Sequence, residues 1–205
     1  KKKVITTIPK KFVTKNTANF AAQCLDVKLG EQVGYYYRGE NKTNQNNIDT
    51  KLIFTTTGSL ISRITGNDPL LKDYSCIIVD EAHERTVQTD QLLLLLKKAA
   101  TIRKDLKIVI MSATIDLQVF RNYFPKDKFK FGEVDVGSEL TYPVKQIWLN
   151  SNPTDWHKEA ADKVIHILTT TKDGDILVFG RSGNDAKRIC DIINLQFNQY
   201  QKENK

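Results

Sequence analysis

The apolar run Cys76-Ile77-Ile78-Val79 stops abruptly at Asp80-Glu81-Ala82-His83-Glu84-Arg85. An apolar segment this short, closed by acids, reads as a central parallel strand buried on both faces, whose end delivers two adjacent carboxylates. Open α/β sheets bind ligands in the crevice at such strand ends. Paired carboxylates at that point suit a magnesium ion held against phosphates, so the chain points to an enzyme.

The rest of the chain supplies neighbours for that strand. Short β-type runs at Val4 to Thr7, Val33 to Tyr37, Leu52 to Thr55 and Lys107 to Met111 alternate with helical patterns. The segment Val13 to Leu25 is expected to place Phe12, Ala18, Ala21, Ala22 and Leu25 near one face, and the leucine-rich Thr89 to Ile102 to be buried nearly all round. Such alternation predicts an α/β fold with a doubly wound parallel sheet. Around Gly137 to Pro143 the pattern breaks. The expected division is a first domain over 1–136, a linker over 137–143 and the beginning of a second domain over 144–205. That second domain should hold strands at Val144 to Leu149 and Ile176 to Phe179, with helices from Thr154 to about Leu168 and from about Asn184.

Composition sets outer bounds. A chain of 205 residues, 40% hydrophobic, can bury roughly 70% of its unfolded surface. The formal charge of +7 favours a polyanionic partner, although a Lys excess spread over a surface has the same total. Cys24, Cys76 and Cys190 are odd in number and widely spaced, which indicates neither a disulfide framework nor a zinc cage and fits a reducing, intracellular setting: nuclear, cytoplasmic or viral. The longest leucine run, Leu92 to Leu96, is far too short to span a bilayer, so no membrane association is expected.

An isolated Asp-Glu pair would ordinarily do no more than cap the next helix and interact with its dipole, worth about 0.3–1 kcal/mol for each acid. The company this pair keeps changes that reading. Asp68-Pro69-Leu70-Leu71 and Tyr74-Ser75 lead into Asp80 to Thr86; Ser112-Ala113-Thr114 follows the next strand; Val33-Gly34-Tyr35 is followed by Arg38 and Glu40; and Thr56 is followed by Gly58. Together these resemble, in order and spacing from about Thr6 to Ile193, the DEAH-box family of superfamily 2 helicases, whose name is the one-letter reading of residues 80 to 83. The resemblance implies a RecA-like parallel sheet flanked by helices, plus the start of a second RecA-like domain.

It also implies roles. Asp80 and Glu81 would serve Mg2+ and the hydrolytic water under ATP, and His83 would couple nucleotide state to Ser112 and Thr114. Lys10 and Lys11, Arg38, and Thr56 with Gly58 would grip an RNA backbone. The residue types fit, because hydroxyls and N–H groups at a helix start cradle phosphates and backbone contacts carry no sequence preference. Tyr35-Tyr36-Tyr37 could suggest base stacking, but side chains alternate along a strand, so packing against helices is the better expectation. His157 and His166 lack metal-ligand company and are expected to be ordinary helix residues.

The expected parent is an ATP-dependent RNA helicase that pulls along single-stranded RNA, or a duplex with an overhang, in the 3′-to-5′ direction, as a monomer and with protein activators. A non-catalytic nucleic-acid-binding module of the same shell and a DNA-directed helicase are the alternatives. No G-x-x-x-x-G-K-[ST] occurs in the sequence, and Gly180-Arg181-Ser182-Gly183 lacks the spacing and the Lys of a phosphate-binding loop. The chain is therefore expected to be an internal fragment that begins after that loop and stops before motifs V and VI. Ile8 stands where the family usually has Gln, Lys10-Lys11 replace its Arg pair, and Phe20 stands where relatives often have an Arg against the nucleotide base. Phe179 to Asn184 only loosely resembles motif IV.

Overall fold

The computed structural model describes residues 2–44, 50–113, 117–137 and 142–203. The chain divides into two compact units, Lys1–Val134 and Asp135–Lys205. In the first, β1 (Lys3–Ile8) leads to α1 (Lys11–Cys24), and β2 (Val33–Tyr37) turns into the short β3 (Glu40–Lys42). These are followed by β4 (Leu52–Thr56), α2 (Thr57–Gly66), β5 (Tyr74–Val79), a 3-10 turn (Ala82–Glu84), α3 (Val87–Ile102), β6 (Lys107–Ile110) and α4 (Leu117–Tyr123).

One six-stranded sheet has the order β3-β2-β4-β1-β5-β6. β2, β4, β1, β5 and β6 run parallel, and only β3 is antiparallel, as the outer arm of a hairpin with β2. Each expected strand of this unit forms, within one or two residues of its expected limits.

Strand alternation sends side chains to two separate cores. On one face Ile5, Ile53, Ile77 and Val79 pack with Leu60, Ile61 and Ile64 of α2 and with Leu92, Leu93, Leu96 and Ala99 of α3. On the other, Ile8, Val33, Tyr35 and Phe54 meet Ala18 and Ala22 of α1. Tyr36 joins the first core while Tyr35 and Tyr37 join the second, so these tyrosines pack as alternation requires.

Two helix expectations need correction. α1 buries Thr14, Ala18 and Ala22, whereas Phe12 and Leu25 are exposed. At 3.6 residues per turn Phe12 lies about 200° around the helix from Thr14, and a stripe of small residues is what lets α1 sit close to the sheet. α3 likewise buries one face only, with Leu94 and Ile102 exposed.

In the second unit, α5 (Trp156–Thr170) and α6 (Gly183–Glu203) form near their expected positions. Asp155 caps α5 by accepting from the backbone N–H groups of His157 (3.1 Å) and Lys158 (3.2 Å). His157 lies in the first turn of α5; it is buried, and its Nε2 lies 2.8 Å from Asp185 Oδ1, joining the first turns of the two helices. The strands expected at 144–149 and 176–179 are absent among the described residues, and Ile147, Trp148, Leu177 and Phe179 are exposed. β-propensity does not make a strand without a hydrogen-bonded neighbour, and a two-stranded unit is marginal in water. Among the described residues no helix is long and apolar enough to cross a membrane.

Gly34 is the tightest glycine of the sheet. A Cβ there would lie 2.7 Å from the Lys42 carbonyl oxygen and 3.2 Å from Thr43 Cα, both backbone atoms of the hairpin's return arm. Gly34→Ala is expected to destabilise the chain by about 1–3 kcal/mol by forcing β2 and β3 apart. Gly58→Ala, which meets only the Gln88 amide at 3.5 Å, should stay close to wild type. Urea unfolding of the two variants checks the difference.

Candidate active site and nucleic-acid interface

Because five strands are parallel, their C-terminal ends share one rim, and each described candidate for nucleotide, coupling or RNA contact lies at or just after one of those ends. Arg38 follows β2, Thr56 and Gly58 lie at the β4–α2 junction, and Lys10 and Lys11 follow β1. Asp80, Glu81 and His83 follow β5, and Ser112 follows β6. Thr114 lies outside the described residues.

The acid turn is held from both sides. The Asp80 N–H donates to the Thr7 carbonyl of β1 at 3.2 Å, and the Ala82 N–H donates to the Met111 carbonyl at the end of β6 at 3.1 Å. Between these anchors Glu81 adopts φ 54° and ψ 37°, the left-handed region that a non-glycine residue avoids. The Glu81 N–H donates to Asp80 Oδ1 at 2.9 Å, which fixes one carboxylate oxygen beside the strained residue. Arg85 is also left-handed, at φ 45°. Its guanidinium makes two bonds to the Asp90 carboxylate, at 2.8 and 3.0 Å, which hold Asp90 below its usual pKa. Backbone strain of this kind costs about 1–3 kcal/mol for each residue and persists only where the surroundings impose it.

Among the described residues His83 Nδ1 is buried without a hydrogen bond; Glu81 Oε2 lies 3.5 Å away, too long for one. The bond from Ala82 to Met111 brings the His83 turn against the strand end that carries Ser112. The described residues form no cluster of three or more metal-ligating side chains, so Asp80 and Glu81 stand as a pair. A cavity of about 480 Å³ lined by Arg85, Asp90, Leu93, Phe120 and Tyr123 lies nearby without including either acid.

The other half of the rim is cationic. Lys10 caps α1 through its backbone, its carbonyl accepting from Thr14 N–H at 3.0 Å and Thr14 Oγ1 at 2.9 Å, which leaves the side chain exposed. Lys11 Nζ donates to the Arg38 carbonyl at 3.0 Å and lies 5.6 Å from the centre of the Tyr37 ring. Arg38 sits at the hairpin tip beside Gly39, whose φ of 102° only glycine adopts freely, and the Arg38 guanidinium has no partner among the described residues. At the start of α2 the hydroxyls of Thr56 and Ser59 bond each other at 2.8 Å. Phe20 is exposed on α1.

Two roles were not read from the sequence, although Glu40 itself stands in the family-like segment with Val33 to Tyr35 and Arg38. One is the Arg85–Asp90 clamp, which an i, i+5 pair across a helix start does not advertise. The other is Glu40, which accepts hydrogen bonds from Tyr35 Oη (2.5 Å), Tyr37 Oη and Lys15 Nζ (2.9 Å). These three donors, with the Lys15 charge, draw its carboxyl down to about 2.

A family model described as DEAD/DEAH box helicase matches residues 1–122. A protein of Acanthamoeba polyphaga mimivirus under the name of an ATP-dependent RNA helicase, L540, is 34% identical over 95% of this chain and 28% of its own length. The human protein under the name ATP-dependent RNA helicase DHX35 is 36% identical over 91% of this chain and 27% of its own length. The crystal structure of the Escherichia coli DEAH/RHA helicase HrpB superposes with a TM-score of 0.80 and 28% identity, covering 94% of this chain and 24% of that one. The chain thus spans about a quarter of the length of the curated relatives it matches. With the matched model covering more than half of its residues, the chain belongs to the DEAD/DEAH box helicase family.

Proposed function

We propose that this chain is the motor core segment of an ATP-dependent RNA helicase, with the acid turn serving ATP and the cationic half of the rim gripping RNA. The single observation that carries the reading is the segregation of charge along one rim. Paired acids follow β5, while Lys10, Lys11 and Arg38 follow β1 and β2. A phosphoryl-transfer site needs placed charge more than covalent chemistry, and a nucleic-acid track needs cations with phosphate-binding N–H groups.

In this reading Asp80 holds Mg2+ and Glu81 polarises the attacking water. A hard ion bound by one or two carboxylates keeps its remaining sites for water and phosphate oxygens, which fits a pair better than a closed cage. His83, joined through its turn to the end of β6, reports nucleotide state toward Ser112 and Thr114. Lys10, Lys11, Arg38 and the Thr56–Gly58 loop take the sugar-phosphate backbone, so binding is expected to be indifferent to base sequence. Monomeric action on single-stranded RNA or an overhanging duplex, help from protein activators, and a reducing intracellular setting complete the proposal.

Two measurements test it. Binding of the chain to a mixed-sequence single-stranded RNA, followed by fluorescence anisotropy across a salt series, should weaken as salt rises. The Lys10→Ala/Lys11→Ala/Arg38→Ala variant should reduce the slope of log K against log salt by about 2, three phosphate contacts on a single strand. An unchanged slope contradicts the assigned grip, and stronger binding to DNA of the same sequence contradicts RNA as the track.

Separately, the sequence holds no Gly-x-x-x-x-Gly-Lys loop. Half of the electrostatic clamp on the triphosphate is therefore lacking, and the 205-residue chain should hydrolyse ATP undetectably in a phosphate-release assay. Robust turnover would contradict the assignment of roles.

A further inference from the structure

Glu40 opens β3 directly across the hairpin from Tyr37. Its three donors come from two elements: Tyr35 and Tyr37 from the same face of β2, and Lys15 from α1. The two rings stack with centres 5.6 Å apart, and Lys15 Nζ and Lys11 Nζ lie 5.9 and 5.6 Å from the centres of Tyr35 and Tyr37 respectively. Lys11 continues the line by donating to the Arg38 carbonyl at 3.0 Å. A connected path therefore runs from the Glu40 carboxylate through Tyr37 and Lys11 to the backbone of Arg38.

We propose that Glu40 is a positioning residue for nucleic-acid binding: it fixes the β2–β3 hairpin against α1 so that Lys11 and Arg38, from two different loops, act as one cationic edge. The proposal rests on the RNA reading above and extends it to a residue that does not itself face the polyanion as a ligand.

The physical signature is a reversal of sign. Glu40→Ala takes the formal charge from +7 to +8 by removing an acid from a cationic rim. If charge alone mattered, affinity for RNA would rise. If Glu40 positions Lys11 and Arg38, affinity falls, because two flexible side chains must then be ordered at the moment of binding. The expected loss is about tenfold at moderate salt, and the salt slope drops by about 0.7 to 1.4, one or two phosphate contacts.

Three further variants make the test specific. Glu40→Gln keeps an acceptor for a tyrosine hydroxyl but loses its charge pairing with Lys15, so it should fall between wild type and Glu40→Ala. Tyr37→Phe breaks one link without changing charge and should weaken binding by about threefold. Because Glu40 acts through Lys11, Glu40→Ala should add little to Lys11→Ala in a double-mutant cycle. A merely structural role predicts neither the slope change nor this coupling.

Unchanged or raised affinity in Glu40→Ala, or strict additivity with Lys11→Ala, overturns the proposal. If the Lys10/Lys11/Arg38 triple variant behaves as expected while Glu40→Ala binds more tightly, only the Glu40 assignment falls. If the triple variant leaves the salt slope unchanged, the RNA reading falls with it.

Discussion

The parallel direction of five strands is the constraint from which the rest follows. Parallel strands cannot be joined by tight hairpins, so each crossover brings the chain back to start at the same end and finish at the same rim. Five loops that are distant in sequence are thereby gathered without any side chain needing to reach across the protein. β1 is central in this arrangement, pairing with β4 on one side and β5 on the other. The cationic loops lie toward β2 and β4, and the acid turn lies toward β6. A chain with the same residues on an antiparallel sheet would scatter them between two edges.

Local backbone geometry refines what the topology gathers. Asp80 is tied to Thr7, three residues ahead of Lys10, and Ala82 is tied to Met111, next to Ser112. The acid turn is thus bonded to the strand that leads into the cationic loop and to the strand that leads into the Ser-Ala-Thr segment. Glu81 in the left-handed region is the cost of that double attachment. On the far side of β1, the Tyr35 and Tyr37 hydroxyls and the Lys15 ammonium do the equivalent work for cations, with ionised Glu40 as the acceptor of the cluster. Its folded-state pKa is depressed, so this support is present above the ordinary 4.5 and is lost as pH falls through about 2.

Much of this was legible in the sequence, and the exceptions have physical causes. The apolar run ending in Asp80 announced an interior parallel strand, and β5 does pair on both sides, with β1 and β6, although Cys76 and Ile78 on its second face are only half-buried. The strand limits and the opposite orientation of Tyr36 followed from period two. The misread helices were those in which apolar residues surround the axis: Phe12 and Leu25 look like core until the small-residue stripe Thr14, Ala18, Ala22 fixes the buried face. In the second unit, Val144 to Leu149 and Ile176 to Phe179 have the composition of strands, but a strand is a property of a pair, and no partner is present among the described residues. The part Glu40 plays and the Arg85–Asp90 clamp were invisible for a related reason. Their roles depend on which donors the fold brings to them, and a single carboxylate in a sequence does not say so.

The proposed RNA grip places the nucleic acid on one rim of the parallel sheet, and specifically on its cationic half. Ultraviolet cross-linking of the chain to a single-stranded RNA, followed by mass spectrometry of the linked peptides, tests it most directly. Cross-links should fall on the peptides around Lys10 and Lys11, Arg38, and Thr56 to Ser59. Cross-links confined to α5 and α6, or to the opposite ends of the strands, would contradict it.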